Sequence, residues 1–384
     1  MILIQASVGL PAKDPVERGF EHFYNLEYDQ AVQEFASAVD NEPGNAAPHN
    51  HLAQAILYRA MYRAGALESE LVTGSNPFLR RSKVEPAPEE VRRFHQEIQT
   101  ALSISEARLK ENPEDARAHY TAGVAYGLRA NYNFLVRKAW LDSLRDATEA
   151  RKAHLQATSI DPGFVDAKLV QGVYDYVVGS LPWYYKMLGF IAGYRGDRER
   201  GIQVLREVAE HGRQNGMDAK VLLAAIYRRE RHPEAAIPLL RDLIRRFPRN
   251  YLFRLELVQM YSDAGDKESA LEVLSRIEKL HQSGAPGYAR LDPGKIHYAR
   301  GNLLFWYNDL EAALDDLRRA VERADEVDLN TGVMAWMRLG QTHDLLGQRE
   351  EARKAYRQAV DLAPDSEVGK ESRRYLSSPY RRRK

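Results

Sequence analysis

The feature that most constrains this chain is a set of five residues that recurs with the same spacing near both ends. From the first member to the last, the separations are 12, 4, 3 and 5 residues. The two sets are Gly19, Ala31, Phe35, Ala38 and Pro43, and Gly340, Ala352, Tyr356, Ala359 and Pro364. Such a recurrence across 384 residues indicates one repeated unit, rather than the two or three domains that length alone would suggest.

The spacing predicts a helical hairpin as the repeated unit. Separations of 4 and 3 place Ala352, Tyr356 and Ala359 on one face of a helix. A small residue twelve positions earlier allows the first helix to pack closely, so we expect Gly340 to face an alanine of the second helix. Pro364 ends that helix because it cannot donate the next backbone hydrogen bond. A hairpin of this kind buries its apolar face by stacking on its neighbours.

This spacing resembles that of the tetratricopeptide repeat family. The resemblance implies an all-α, right-handed superhelical solenoid of stacked helical hairpins. Further units begin at Ala224, Val258 and Gly301, and with the unit at Gly340 they give a regular half, repeats five to eight, over residues 217–366. We count about eight repeats in the chain.

Repeats one to four form an irregular half over residues 15–216. In three of them the two halves of the pattern lie 48, 27 and 29 residues apart instead of 12, which indicates long insertions in repeats two to four. The separated pairs are Ala53 and Ala101, Gly123 and Ala150, and Gly172 and Gly201. Because neighbouring repeats stack in parallel, we expect the three insertions to emerge along one edge.

The two ends of the chain lie outside the repeats. Residues 1–14 are predicted to be an N-terminal tail, and residues 367–384 a capping helix with a basic tail. Tyr375 and Leu376 would form the buried side of that helix. The closing Arg-Arg-Arg-Lys run is typical of a disordered, solubilising tail.

The third insertion is rich in aromatic residues. Tyr174, Trp183, Tyr184, Tyr185, Phe190 and Tyr194 lie there, with Lys186 among them. We interpret them first as an apolar cover over protruding helix ends. The alternative is an open edge that binds a small molecule or a lipid, or that rests on a membrane surface; membrane contact is the less favoured of these partners.

Part of this insertion also resembles a eukaryotic subfamily of tetratricopeptide repeat proteins. That subfamily is associated with inclusion-body clearance and with mitochondrial outer-membrane or lipid-droplet surfaces. The likeness covers residues 172–201 and is carried by Gly172, Ser180, Leu181, Pro182, Lys186, Leu188, Phe190, Gly193, Gly196, Asp197 and Gly201. The tandem of Trp183, Tyr184 and Tyr185 departs from the subfamily pattern.

The first helices of repeats five to eight are expected to line a concave groove. Extrapolation from the small-residue positions points eight side chains into it: Arg228, Arg229, Glu256, Gln259, Tyr298, Asn302, Arg338 and Gln341. A mixed polar lining suits an extended peptide or a partner helix. The sequence therefore predicts a non-catalytic protein-interaction scaffold that binds a protein or peptide partner in this groove.

Composition and motifs favour no other chemistry. The chain has no cysteine and a net charge of +1, and it lacks phosphate-binding loops and catalytic signatures, so we expect no enzyme activity, no cofactor and no nucleic-acid partner. His49 and His51 are interpreted as an exposed helix start rather than a metal site. Asp315 and Asp316 are interpreted as part of a solvated helix face.

The first twelve residues are apolar but carry no basic leader. The default expectation is a cytoplasmic protein. A periplasmic or secreted location would follow if this stretch were the remnant of a signal peptide.

Overall fold

The computed structural model describes residues 14–67, 84–180 and 196–382, and these residues form α-helices without any strand. The predicted all-α class is therefore confirmed. Seventeen α-helices occur in these ranges: α1 Pro15–Tyr24, α2 Tyr28–Asn41, α3 Ala46–Arg63, α4 Pro88–Glu111, α5 Ala116–Tyr132, α6 Trp140–Ile160, α7 Leu169–Gly179, α8 Arg198–His211, α9 Gly216–Arg229, α10 Pro233–Arg246, α11 Tyr251–Asp263, α12 Lys267–Gln282, α13 Pro293–Trp306, α14 Leu310–Val321, α15 Leu329–Leu345, α16 Arg349–Leu362 and α17 Glu367–Ser377.

Polar caps and prolines fix where many of these helices begin. Side chains of Asp, Asn or Ser accept a hydrogen bond from a backbone N–H of the first turn, which satisfies one of the donors that a helix start leaves free. These caps are Asp14, Asp115, Asp197, Asn250, Asp266, Asp292, Asp328 and Ser366. Proline occupies the first turn of α1, α4, α10 and α13, where its missing N–H costs nothing.

The described residues divide into two compact units. The first comprises residues 14–60 and 85–170, and the second comprises residues 61–67, 84, 171–180 and 196–382. In the first unit α1 packs on α2, α4 on α5, and α5 on α6. In the second unit consecutive helices from α8 to α17 pack on one another.

The marked glycines make the close helix contacts, although against a different partner from the one expected. A Cβ atom on Gly340 would lie 2.5 Å from the ring of Tyr356, and one on Gly19 would lie 2.4 Å from the ring of Phe35. The expectation of a facing alanine was therefore wrong. The ring at the third marked position reaches across to the first helix, and the glycine leaves room for it.

Parts of two of the predicted insertions, residues 68–83 and 181–195, lie outside the described residues. In the insertion between Gly123 and Ala150, α5 passes into a π-helical turn over Asn133–Arg137. Lys138 then takes a left-handed conformation with φ of 56°, and α6 starts two residues later. The number of repeats and the right-handed superhelix stay predictions.

Candidate partner-binding groove

The eight residues predicted for the groove lie in pairs on four alternate helices of the second unit: Arg228 and Arg229 on α9, Glu256 and Gln259 on α11, Tyr298 and Asn302 on α13, and Arg338 and Gln341 on α15. These eight residues form the predicted groove. On the last three helices the two members are three or four residues apart and so share a helix face. The four residues on α13 and α15 are buried, Arg228 and both residues on α11 are partly buried, and Arg229 is exposed.

A salt bridge joins the first two helices of the predicted groove. The guanidinium of Arg228 on α9 lies 2.9 Å from a carboxylate oxygen of Glu256 on α11, and both side chains are about nine-tenths buried. Removal of either partner would leave a buried charge uncompensated, which is strongly destabilising. This pair therefore holds neighbouring hairpins in register.

Arg338 connects α15 to α13 through aromatic rings. Its guanidinium carbon lies 4.5 Å from the ring centroid of Phe305 and 4.8 Å from that of Trp306, and its Nη1 donates a 2.7 Å hydrogen bond to Gln341. Phe305 is fully buried, but Trp306 remains 52% exposed. A large exposed ring beside a buried cation is the kind of anchor at which one partner side chain can contribute much of the binding energy.

Sequence reasoning missed Trp306 and Asp344, although the helical period contained a signal for both. Trp306 lies four residues after Asn302, and Asp344 lies three residues after Gln341, so each continues the face of a predicted groove residue. The side chain of Asp344 is 1% exposed. It accepts a 2.8 Å hydrogen bond from the hydroxyl of Tyr356 on α16.

Asp316 belongs to a cluster of ion pairs on α12, α13 and α14, so the interpretation of this residue as solvated was wrong. Asp316 is buried and accepts hydrogen bonds from Arg300 at 2.9 Å and from His297 at 2.9 Å, while Arg300 also pairs with Glu278 on α12. Burial alone would raise the pKa of Asp316, but the bonds from His297 and Arg300 outweigh it and the pKa is lowered. Asp315 beside it is exposed. The cluster joins α12, α13 and α14 and has a structural role.

Of the predicted aromatic edge, only Tyr174 belongs to the described part of the chain, where it is half-buried on α7. Trp183, Tyr184, Tyr185, Lys186, Phe190 and Tyr194 lie outside the described residues. Nearby, Tyr176 is buried and donates a 2.9 Å hydrogen bond to Glu230, and burial together with that bond raises its pKa to about 12. Arg229 of the predicted groove lies over its ring at 5.9 Å.

His49 and His51 lie near the start of α3, but the expectation that they are exposed was wrong. His49 is buried, and its Nδ1 lies 2.5 Å from a carboxylate oxygen of Glu97, a partner 48 residues away. The ring of His51 packs edge-on against Phe20 at 4.7 Å, and burial lowers its pKa to about 4. Among residues 14–67, 84–180 and 196–382, no group of three or more acidic or histidine side chains could hold a metal ion.

No helix within the described ranges has both the length and the apolar content that a membrane crossing requires.

The matches to known protein families lie in the second unit. Two family models described as the tetratricopeptide repeat match residues 227–291 and 333–366. No curated protein sequence matches the chain.

Solved structures similar to the chain include three that cover 70% or more of it. Yeast Tom70 shares 13% identity, with 95% of this chain and 88% of that one covered and a TM-score of 0.42. YrrB, titled a TPR protein with an unusual peptide-binding site, shares 17% identity over 70% of this chain and 97% of its own, with a TM-score of 0.35. A tetratricopeptide repeat protein from Parabacteroides merdae shares 13% identity over 84% and 97%, with a TM-score of 0.32. Residues 227–291 and 333–366, which lie among the consecutive packed helices of the second unit, therefore carry tetratricopeptide repeats.

Proposed function

We propose that this protein is a non-catalytic scaffold that holds a segment of a partner protein against the predicted groove, with Trp306 as the anchor. Tetratricopeptide repeats are a protein-interaction fold, and stacked helical repeats offer extended surfaces for such segments. The observation that carries the proposal is the exposed ring of Trp306 next to the buried guanidinium of Arg338. A binding surface of this kind needs a desolvated centre with an aromatic anchor.

The chemistry of the lining favours an extended segment with mixed character. Gln259, on α11, presents an amide that already bonds to Asp263 at 2.7 Å, and Arg229 adds an exposed cation. Amides and cations bind the backbone and the acidic side chains of an extended chain, while Trp306 offers a stacking face to an apolar or aromatic side chain. No described residue favours the lipid or small-molecule alternative at the aromatic insertion.

The test is quantitative affinity capture of partners on three versions of the full chain. Trp306→Ala removes the anchor, and Trp140→Ala is the matched control, because Trp140 is a 60% exposed tryptophan on α6 in the first unit. We expect Trp306→Ala to reduce recovery of the specific partners at least tenfold, since loss of a hot-spot side chain costs about 2 kcal/mol or more. Trp140→Ala should retain them. Equal recovery by all three chains would refute the groove as the binding surface.

A further inference from the structure

The residues that follow α17 contact the helices that carry the predicted groove. The backbone N–H of Tyr380 donates a 2.7 Å hydrogen bond to the carboxylate of Asp344 on α15. Two residues later, the guanidinium of Arg382 donates to the carbonyl oxygen of Phe305 at the end of α13. The expectation of a disordered tail is therefore wrong for Arg382, which together with Tyr380 bridges α15 and α13.

The contacts of this segment involve rings as well as hydrogen bonds. The ring of Tyr380 lies 6.0 Å from that of Phe305, and the Arg382 guanidinium carbon lies 5.1 Å from the Phe305 centroid. Arg338 of the predicted groove lies 4.5 Å from the same centroid. Phe305 is thus fully buried between a cation of the groove and a cation of the tail. The tail therefore packs on the same buried ring that Arg338 of the predicted groove contacts.

The end of α17 is fixed so that the tail leaves it close to Asp344. Arg349 at the start of α16 pairs with Asp344 at 3.0 Å and also donates to the carbonyl oxygens of Tyr375 and Leu376 at 2.7 and 2.9 Å. Ser378 then adopts an extended backbone, with φ of −122° and ψ of 124°. An extended segment carrying an aromatic residue and, two positions on, an arginine is therefore presented to α15 and α13.

We infer that residues 379–382 are an internal occupant of the binding groove, and that the natural partner displaces them with a segment of the same chemistry. That segment would be an extended stretch of protein in which an aromatic residue is followed two positions later by arginine. The inference rests on the proposed function, because it names the partner of the same surface. A tethered occupant acts at an effective concentration of about 1 mM, so it lowers the apparent affinity for any competitor that needs the same contacts.

The inference is tested with a fluorescent peptide of residues 377–382, acetylated and amidated, titrated against full-length chains by fluorescence anisotropy. One chain is wild type, and the other carries Tyr380→Ala with Arg382→Ala, which releases the tail. We expect the peptide to bind the released chain at least tenfold more tightly, since a peptide with a Kd of about 100 μM competes with a tail at about 1 mM. A peptide in which the same two residues are alanine should not bind. Equal binding to both chains, or no binding to the released chain at millimolar concentration, would overturn the inference.

A second variant guards against loss of structure in the first. A glycine-serine linker of about twenty residues between Ser377 and Ser378 leaves every tail residue unchanged but lowers its effective concentration about tenfold. The peptide should then bind about fivefold more tightly than to wild type, because the competing tail falls from about 1 mM to about 0.1 mM. If thermal unfolding shows that Tyr380→Ala with Arg382→Ala has lost its fold, the linker chain alone is compared with wild type. A peptide affinity that is the same for these two chains would then refute the inference.

Partner capture separates this inference from the proposed function. Release of the tail should raise the recovery of partners that depend on Trp306. If those partners are lost in Trp306→Ala but are recovered equally with the tail bound or released, the scaffold function stands and the internal occupant is refuted. If recovery does not depend on Trp306 at all, the proposed function itself is wrong.

Discussion

Substitution of Gly340 by alanine tests how the repeats pack. The added Cβ would lie 2.5, 2.7 and 2.9 Å from three atoms of the Tyr356 ring, which are distances that real Cβ atoms do not show. The ring cannot swing away cheaply, because it is fully buried, packs against the ring of Tyr375 at a centroid distance of 5.3 Å and donates its hydroxyl to Asp344 at 2.8 Å. The new methyl group must therefore displace the ring, the helix or both.

The size of the effect follows from three terms. Overpacking of a tight core costs about 1–3 kcal/mol, and weakening a hydrogen bond to the Asp344 carboxylate adds about 1 kcal/mol or more. Against these, alanine at a helix interior is favoured over glycine by about 0.5–1 kcal/mol. We expect Gly340→Ala to lower the free energy of unfolding by about 2 kcal/mol, or the Tm of a unit of this size by about 5 °C.

The matched control is Gly127→Ala on α5. There an added Cβ would meet only the Cβ of Ala150 at 3.9 Å, an ordinary contact. This variant should be more stable than wild type by about 0.5–1 kcal/mol, because only the helix preference operates. The two substitutions are chemically identical, so opposite signs would isolate the packing term.

Urea unfolding followed by circular dichroism gives both free energies, and native-state hydrogen exchange shows whether the loss is centred on α15 and α16. A double variant, Gly340→Ala with Tyr356→Leu, copies the pairing of Ala224 with Leu240 elsewhere in the chain and should recover part of the loss. A Gly340→Ala chain that unfolds at the wild-type urea concentration would show that the ring contact does not limit packing, and the reasoning would fail.

Two further predictions concern buried titratable groups. His154 is 1% exposed, and burial lowers its pKa to about 4. The unfolded chain therefore binds more protons than the folded chain between pH 6.5 and pH 4. The free energy of unfolding should fall by up to about 3 kcal/mol as the pH falls through this range. His154→Phe should flatten that slope in urea unfolding measured at several pH values; an unchanged slope would contradict the assignment. Asp316→Asn should lower the free energy of unfolding by about 3 kcal/mol because it leaves Arg300 partly uncompensated, whereas Asp315→Asn on the exposed side should change it by less than about 0.5 kcal/mol. Thermal unfolding of the pair checks this, and equal effects would refute the cluster's structural role.

The sequence was most informative where contacts are local and repeated. Ala352, Tyr356 and Ala359 are all fully buried, as their shared helix face predicts. This shared face did not predict that the ring of Tyr356 reaches Gly340. Residue spacing fixes the direction in which a side chain points, but not how far it extends across the interface between the two helices.

Partners distant in sequence were the ones that pattern reasoning could not supply. His49 looked like an exposed helix start because its partner Glu97 lies 48 residues away, beyond any helical period. The contact of Arg382 with Phe305 spans 77 residues and lies outside the repeat register altogether. Trp306 was within reach, because it continues the face of Asn302, but its exposure depends on how α15 packs beside α13.

Site-specific photo-crosslinking tests the central claim most directly. A photoreactive phenylalanine analogue is placed at position 306 in one chain and at position 140 in another, and the crosslinked partner peptides are identified by mass spectrometry. We expect position 306 to capture one kind of segment, extended and with an arginine two residues after an aromatic residue, and position 140 not to capture it. Crosslinks of the same partners from both positions, or none from position 306, would contradict it.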